Sequence, residues 1–386
     1  MPMDAKQLRR WSRQIRLNEI GEAGQEKLAA AKVAIVGVGG LGCPAALYLA
    51  AAGVGTIGLI DDDEVTRSNI QRQVLFREDD VGRGKVEVAC ERLSRVNEQL
   101  ELKPHVMRLT ADNAMSVLGD YDIILDGTDN FPTRYAVNDT CVLLKKPNVY
   151  GSVLQFEGRA SLFVPGESPC YRCLYAEPPP HGTVPSCEEA GVLGFLPGTI
   201  GNIQAAEAVK WICGIGQSLA GRLLVVDMLV MAFDEFAIKR NPECALCGDH
   251  PTIQAPVAYE DACAVVPGLA FADDDYDRDD CITPRLVRKR LAAGEKLFLL
   301  DVREPIEFHM ASLPDATQIP IGELQQRFAQ EIDGRRNDEI IVICHHGIRS
   351  RMVADWLRQQ GCKTVKNLDG GIDRWARDVD PSIPRY

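Results

Sequence analysis

The passage from Val33-Ala34-Ile35-Val36 into Gly37-Val38-Gly39-Gly40-Leu41-Gly42, and on through the Ala- and Leu-rich stretch Leu41 to Ala52, restricts this chain more than any other feature. Apolar and β-branched residues favour a buried strand, the glycines a tight turn, and the alanines and leucines a helix. Repeated alternation of such runs over the first ~250 residues predicts an α/β fold, a parallel sheet covered by helices. The glycine turn also lets the backbone approach a phosphate while helix N–H groups face it. Asp61 closes the next strand, Thr56 to Ile60, where a carboxylate binds ribose hydroxyls. Gly37, Gly39, Gly40, Gly42 and Asp61 are therefore candidate nucleotide contacts. By themselves they suit an NAD dehydrogenase equally well.

The residues that follow favour a triphosphate. Ser68-Asn69-Ile70-Gln71-Arg72-Gln73 is followed by Lys85 and, beyond the strand Tyr121 to Leu125, by Gly127-Thr128-Asp129-Asn130. Arg72 and Lys85 can neutralise phosphate oxygens, and Asp129 offers Mg2+ a hard oxygen ligand.

At 386 residues the chain exceeds one ordinary core, and its texture changes after Cys247. Pro251, Pro256 and Pro267 precede the acidic run Asp273 to Asp280, which marks a linker over 251–281 between domains at 1–250 and 282–386. Thr283-Pro284 reads as a helix start, and the strands Leu297 to Val302 and Glu339 to Cys344 predict a second, smaller α/β unit. A net charge of −12 argues against nonspecific binding to nucleic acid or anionic lipid. No run approaches the ~20 apolar residues of a membrane span, and the charged N-terminal stretch lacks the marks of a secretory signal, so a cytoplasmic location is expected.

Thirteen cysteines in such a chain point to metal and thiol chemistry. Cys170-Tyr171-Arg172-Cys173 and Cys244-Ala245-Leu246-Cys247 are paired knuckles whose four thiolates can close a tetrahedral Zn2+ site; a redox dithiol is the competing reading. Cys187 ends the proline-rich stretch 178–187, which reads as an exposed loop. Cys344 stands at the end of a buried strand and opens Cys344-His345-His346-Gly347-Ile348-Arg349-Ser350, which runs straight into a helix. Consecutive N–H groups and a helix N-terminus favour a charged sulfur there. Cys43, Cys90, Cys141, Cys213, Cys263, Cys281 and Cys362 carry no motif and read as small hydrophobes.

In order and without large gaps, Arg13-Gln14, the glycine turn, Asp61, Ser68 to Gln73, Lys85 and Asp129-Asn130 resemble the motifs of the MoeB/ThiF family, relatives of ubiquitin-activating enzymes, over roughly Leu8 to Gly248. The resemblance implies a homodimer that binds MgATP and adenylates the C-terminal glycine carboxylate of a small ubiquitin-fold sulfur carrier ending in Gly-Gly. It implies nucleotide roles for Gly40, Asp61, Asn69, Arg72, Gln73 and Lys85, with Asp129 on magnesium. Arg13 would reach the other subunit's ATP site, and Cys187 would be the crossover-loop cysteine. Asp301-Val302-Arg303-Glu304-Pro305, the Cys344 loop and Asp369-Gly370-Gly371 resemble a rhodanese domain from about Ile282 to Tyr386. Cys344 would then carry a persulfide loaded from a cysteine desulfurase or thiosulfate, and Arg349 would help hold its charge. Ala311-Ser312 departs from the Gly-His of many rhodaneses, a change expected to affect loop packing more than chemistry.

Overall fold

The computed structural model describes residues 3–179, 190–259 and 276–385, which fall into two compact units on either side of residues 260–275. In the first unit eight strands form one sheet: β1 (Lys32–Val36), β2 (Thr56–Asp61), β3 (Glu101–Val106), β4 (Ile123–Asp126), β5 (Asn148–Leu154), β6 (Glu157–Phe163), β7 (Arg222–Asp227) and β8 (Ala232–Ala237). Their order is β3-β2-β1-β4-β5-β6-β7-β8. The first five are parallel, as the alternating sequence predicts, and β5 to β8 continue antiparallel, an extension the sequence does not announce.

The two-residue period explains why β1 is apolar throughout. Val33 and Ile35 enter one core cluster with Leu49 and Val88, while Ala34 and Val36 enter another with Leu118 and Val137, so both faces of the strand are covered. Strand order reverses between β1 and β4, which opens a crevice at their C-terminal ends. The helix Gly42–Ala52 starts beside that crevice. The sheet and the helix Gly42–Ala52 pack against a long helix, Phe195–Cys213. Pro197 fits its first turn because N–H groups there need no partner within the helix.

The second unit is a five-stranded parallel sheet of β9 (Cys281–Ile282), β10 (Phe298–Asp301), β11 (Thr317–Gln318), β12 (Glu339–Ile343) and β13 (Thr364–Leu368), in the order β11-β10-β12-β13-β9. Central β12 ends at Ile343, the loop from Cys344 to Gly347 follows, and the helix Ile348–Gln359 begins directly after it. Pro284 opens the helix Pro284–Ala292 as expected, but the Thr283 hydroxyl donates to the Tyr276 carbonyl instead of capping that helix. The expected linker is structured at both described ends. Val257 and Tyr259 contact Asp139 and Arg172 of the first unit, and Cys281 pairs with Asn367 in the second sheet. These contacts involve isolated residues and a two-residue strand, too short for periodicity, so composition could not reveal them.

Arg303 and Asp301 form an ion pair at 2.6 Å with both side chains wholly buried, and Arg303 also donates to the Ala311 carbonyl at 2.7 Å. Removing the carboxylate leaves the buried guanidinium without its counter-charge. Asp301→Ala should therefore cost about 3–5 kcal/mol. Hydrogen exchange will show it as faster exchange in β10 and β12 with β1 and β4 unchanged; equal protection in all four strands would contradict this account.

Candidate nucleotide, metal and sulfur sites

At the crevice, the backbones of β1 and β4 approach so closely that side chains are excluded. Gly37 has φ +87°, and a Cβ on it would lie 2.8 Å from the Gly127 carbonyl oxygen; a Cβ on Gly42 would lie 2.0 Å from the Gly37 oxygen. Asp61 Oδ2 accepts the Val38 N–H at 2.7 Å and Oδ1 accepts that of Asp63 at 2.9 Å, so the carboxylate braces the glycine turn from β2. Burial lifts the Asp61 carboxyl above its usual range, opposed by the charge of Lys85 and by the two N–H donors. Lys85 is buried at the start of the helix Lys85–Val96 and donates to Asp63 Oδ2 at 2.7 Å. Burial works against its charge, yet Asp61, Asp63 and Asp129 outweigh that and hold it above the usual lysine value. A buried cation is thus held among three carboxylates, one of which, Asp61, braces the glycine turn.

The 68–73 segment folds back onto the turn. A Cβ on Gly39 would sit 3.7 Å from Gln73 Nε2, and one on Gly40 would sit 3.5 Å from Arg72 Cγ. Gln73 is buried and its Oε1 has no hydrogen-bond partner, so it offers an acceptor inside the crevice. Ser68, Asn69 and Asn130 have local roles. The Ser68 carbonyl accepts from Arg72 at 2.9 Å, Asn69 caps the Thr66 N–H at 3.4 Å, and Asn130 caps the Thr133 N–H of the helix Phe131–Leu143 at 3.0 Å. Asp129 is exposed beside that cap, at the end of a turn held by buried Asp126, whose Oδ1 accepts from the Thr128 N–H and hydroxyl. Arg13 is exposed on the short helix Ser12–Ile15.

Cys170, Cys173, Cys244 and Cys247 converge despite their separation in sequence, with all four sulfurs within 4.8 Å of one another. Four of the sulfur pairs measure 3.3 to 3.9 Å. Thiolates about 2.3 Å from a tetrahedral zinc ion stand about 3.8 Å apart, so the four sulfurs could hold Zn2+ with shifts of about half an ångström. Asn241 donates its N–H to Cys173 Sγ at 3.4 Å, the kind of support that metal-bound thiolates receive. Arg172, inside the first knuckle, is buried; it grips Asp139 at 2.7 and 2.9 Å and donates to the Ala176 carbonyl and the Tyr259 hydroxyl, both at 2.9 Å. Cys187 lies outside the described residues.

In the second unit Cys344 is buried at the floor of its loop. Its sulfur accepts the Gly347 N–H at 3.1 Å and has the Ser350 hydroxyl at 3.1 Å. Gly370 and Gly371 pack beneath, where a Cβ on Gly371 would lie 2.3 Å from the carbonyl oxygens of Cys344 and His345. Arg349 is held as a fork by Glu307 at 2.8 and 2.6 Å. Burial would raise the Glu307 carboxyl, but Arg349 and the Glu304 N–H carry it below the usual range. His345 is pushed down to about 4 by burial and by His346, so it is neutral at pH 7. The remaining described cysteines, Cys43, Cys90, Cys141, Cys213, Cys281 and Cys362, are all raised by burial, Cys43 to about 12.

Residues 11–246 match the ThiF family and residues 283–378 match the Rhodanese-like domain. The chain belongs to the ThiF family. It is 39% identical over 400 residues to the adenylyltransferase and sulfurtransferase MOCS3 of Culex quinquefasciatus, spanning 100% of this chain and 90% of that protein. It is 40% identical over 395 residues to the probable adenylyltransferase/sulfurtransferase MoeZ of Mycobacterium tuberculosis, spanning 100% of this chain and 96% of that one. Among solved structures, E. coli MccB with ATP is 25% identical at a TM-score of 0.56, covering 62% of this chain and 74% of its own.

Several residues around the ThiF and rhodanese sites escaped sequence reasoning. Asp63 could have been noticed in the run Asp61-Asp62-Asp63. Glu307 stands three residues after Glu304, the spacing of a capping box, which the structure confirms. Asp139, Asp126 and Asn367 had no local signal.

Two measurements follow from this geometry. Stripping the metal with a chelator should release one equivalent of zinc per chain and lower the melting temperature of the ThiF unit, and Cys244→Ser should have the same effect; release of no zinc would refute the assignment. For Glu307, whose carboxyl is depressed on folding, the contribution to stability is complete above the unfolded value of about 4.3 and is lost as pH falls through the lower folded value. Urea midpoints of the wild type should therefore fall more steeply in that acid range than those of Glu307→Gln.

Proposed function

We propose that this chain uses ATP to adenylate the C-terminal carboxylate of a small ubiquitin-fold sulfur carrier ending in Gly-Gly, and that Cys344 then supplies the sulfur for a thiocarboxylate. The observation that carries the reading is that one polypeptide holds a cation-bearing nucleotide crevice and a second unit with a cysteine cradled by hydrogen-bond donors. In the first step a carrier carboxylate oxygen attacks the α-phosphorus and pyrophosphate leaves. Gly37 to Gly42 give the phosphates close backbone contact, Asp61 holds the turn and the ribose, and Arg72 and Lys85 offset the charge that develops. Asn69 and Gln73 line the crevice, with Ser68 and Asn130 supporting its walls. Asp129, an exposed hard carboxylate, suits Mg2+, which supplies electrostatic stabilisation when bound.

In the second step the terminal persulfide sulfur on Cys344 attacks the acyl carbon and AMP leaves. The resulting acyl disulfide releases the thiocarboxylate when a thiol attacks the Cys344 sulfur; we assign that thiol to Cys187, which leaves a Cys187–Cys344 disulfide that an external dithiol reduces before the next turnover. Arg349, already neutralised by Glu307, acts more as a brace for the loop than as an uncompensated cation. A protein substrate suits the apolar exposure around the β7–β8 hairpin, where Leu229, Val230, Met231 and Phe233 face outward. On this reading the chain works as a cytoplasmic homodimer in which Arg13 reaches the partner's ATP site, and a cysteine desulfurase or thiosulfate supplies the sulfur. No described helix is long and apolar enough to cross a membrane.

Mass spectrometry of a Gly-Gly-ended carrier incubated with enzyme, MgATP and thiosulfate tests the scheme. Wild type should give thiocarboxylate, Cys344→Ala should stop at the acyl-adenylate, and Lys85→Ala should reduce adenylation at least about 100-fold, as loss of a transition-state donor does. Full thiocarboxylate from Cys344→Ala would sink the sulfur step while leaving adenylation standing.

A further inference from the structure

Beneath the cysteine loop runs a line of polar groups that the scheme above leaves unused. Ser350 is wholly buried in the first turn of the helix Ile348–Gln359. Its Oγ lies 3.1 Å from Cys344 Sγ and 2.6 Å from Asn367 Oδ1. Asn367 is buried on β13, and its Nδ2 faces Cys281 Sγ on β9 at 4.0 Å. Four buried groups, one each on β9, β13, the helix Ile348–Gln359 and the loop after β12, thus form one file: Cys281, Asn367, Ser350 and Cys344.

The Ser350 hydroxyl has one proton and two acceptors within reach. With Cys344 neutral, the proton goes to Asn367 Oδ1, the shorter contact, and Oγ can accept the Cys344 S–H. With the sulfur charged, the stronger acceptor is the anion, because a hydrogen bond to a charged group is roughly twice as strong as a neutral one. Turning the hydroxyl to sulfur would leave two oxygens facing each other at 2.6 Å. Reversing the Asn367 amide removes that conflict without changing its shape, since Nδ2 then donates to Ser350 and Oδ1 faces Cys281. Burial raises the Cys281 thiol, which keeps its proton available for that oxygen.

We propose that Ser350 and Asn367 are positioning residues for sulfur transfer, forming with Cys281 a buried relay whose hydrogen bonds reverse direction when the Cys344 sulfur becomes charged. The relay rests on the reading of Cys344 as the sulfur carrier. It adds a side-chain donor to the sulfur beside the Gly347 N–H, and it lets the cradle hold both the thiol and the anion without an unpaired polar atom along the file in either state. The anion is thereby stabilised from below, where no substrate can displace the donor.

The test is the pH dependence of thiolate absorbance in the full-length protein, taken as the difference between each protein and its Cys344→Ser counterpart. The titratable and charged groups around the loop are His345, His346 and Arg349 within it, Glu307 and the Asp301–Arg303 pair from the β10 side, and Asp369, Asp373 and Arg374 beneath, with Arg351 and Asp280 beside Cys281 at the far end of the file. None is altered by the substitutions. Ser350→Ala should move the midpoint up by about one pH unit, a tenfold smaller anion fraction at neutral pH. Ser350→Thr should restore it, and Asn367→Leu should give a smaller upward shift. A Ser350→Ala midpoint within about 0.2 units of wild type, in a protein with unchanged melting temperature, overturns the relay. This titration needs no sulfur donor, so persulfide loading of wild type by thiosulfate reads the role of Cys344 separately.

Discussion

The first unit depends on a place where two strands come too close for side chains. Gly37 and Gly127 let β1 and β4 meet at backbone distance, and Gly42 lets the following helix start directly against the turn. A single methyl group at Gly42 would meet an oxygen at 2.0 Å. With the strands pinned there, Asp61 can reach the turn from β2, and Asp129 emerges from β4 beside Lys85. The crevice exists because the backbone closes beneath it.

The second unit meets a similar demand with the same local device. A buried parallel strand runs into a short turn, and a helix begins at once, so N–H groups converge on one point. The two units differ in how charge is met. In the ThiF unit a lysine stands among three carboxylates, an arrangement suited to a highly charged ligand and metal. In the rhodanese unit the nearby arginine is matched by Glu307 and His345 is neutral, so the contacts to the sulfur itself are N–H and O–H dipoles, which suit a single negative sulfur.

Much of this was legible because periodicity and motifs act over short distances. The apolar run of β1 and the glycine turn predicted strand, turn and helix, and the central parallel sheet followed from their repetition. The paired knuckles announced four convergent sulfurs, although not the Arg172–Asp139 pair that ties them to the helix Phe131–Leu143. The antiparallel β6 to β8 were not legible, since an edge strand such as β8, largely exposed, carries no clear apolar alternation. Nor were Asp139, Gln204 and Asn367, whose partners lie far away in sequence: Gln204 donates to the carbonyls of Asp126 and Val149 at 2.7 and 2.9 Å. A buried polar residue acquires meaning only when the fold supplies its partner.

Six cysteines outside the four-sulfur cluster share one property: burial keeps each protonated. A protein that handles mobile sulfur atoms faces a problem of leakage, since any exposed thiolate would accept the sulfur and hold it in the wrong place. Here the described competitors are silenced by desolvation, and the four knuckle thiols are suited to being occupied by a metal. If Cys344 carries the sulfur as proposed, fidelity of delivery rests as much on the silence of these thiols as on its own reactivity.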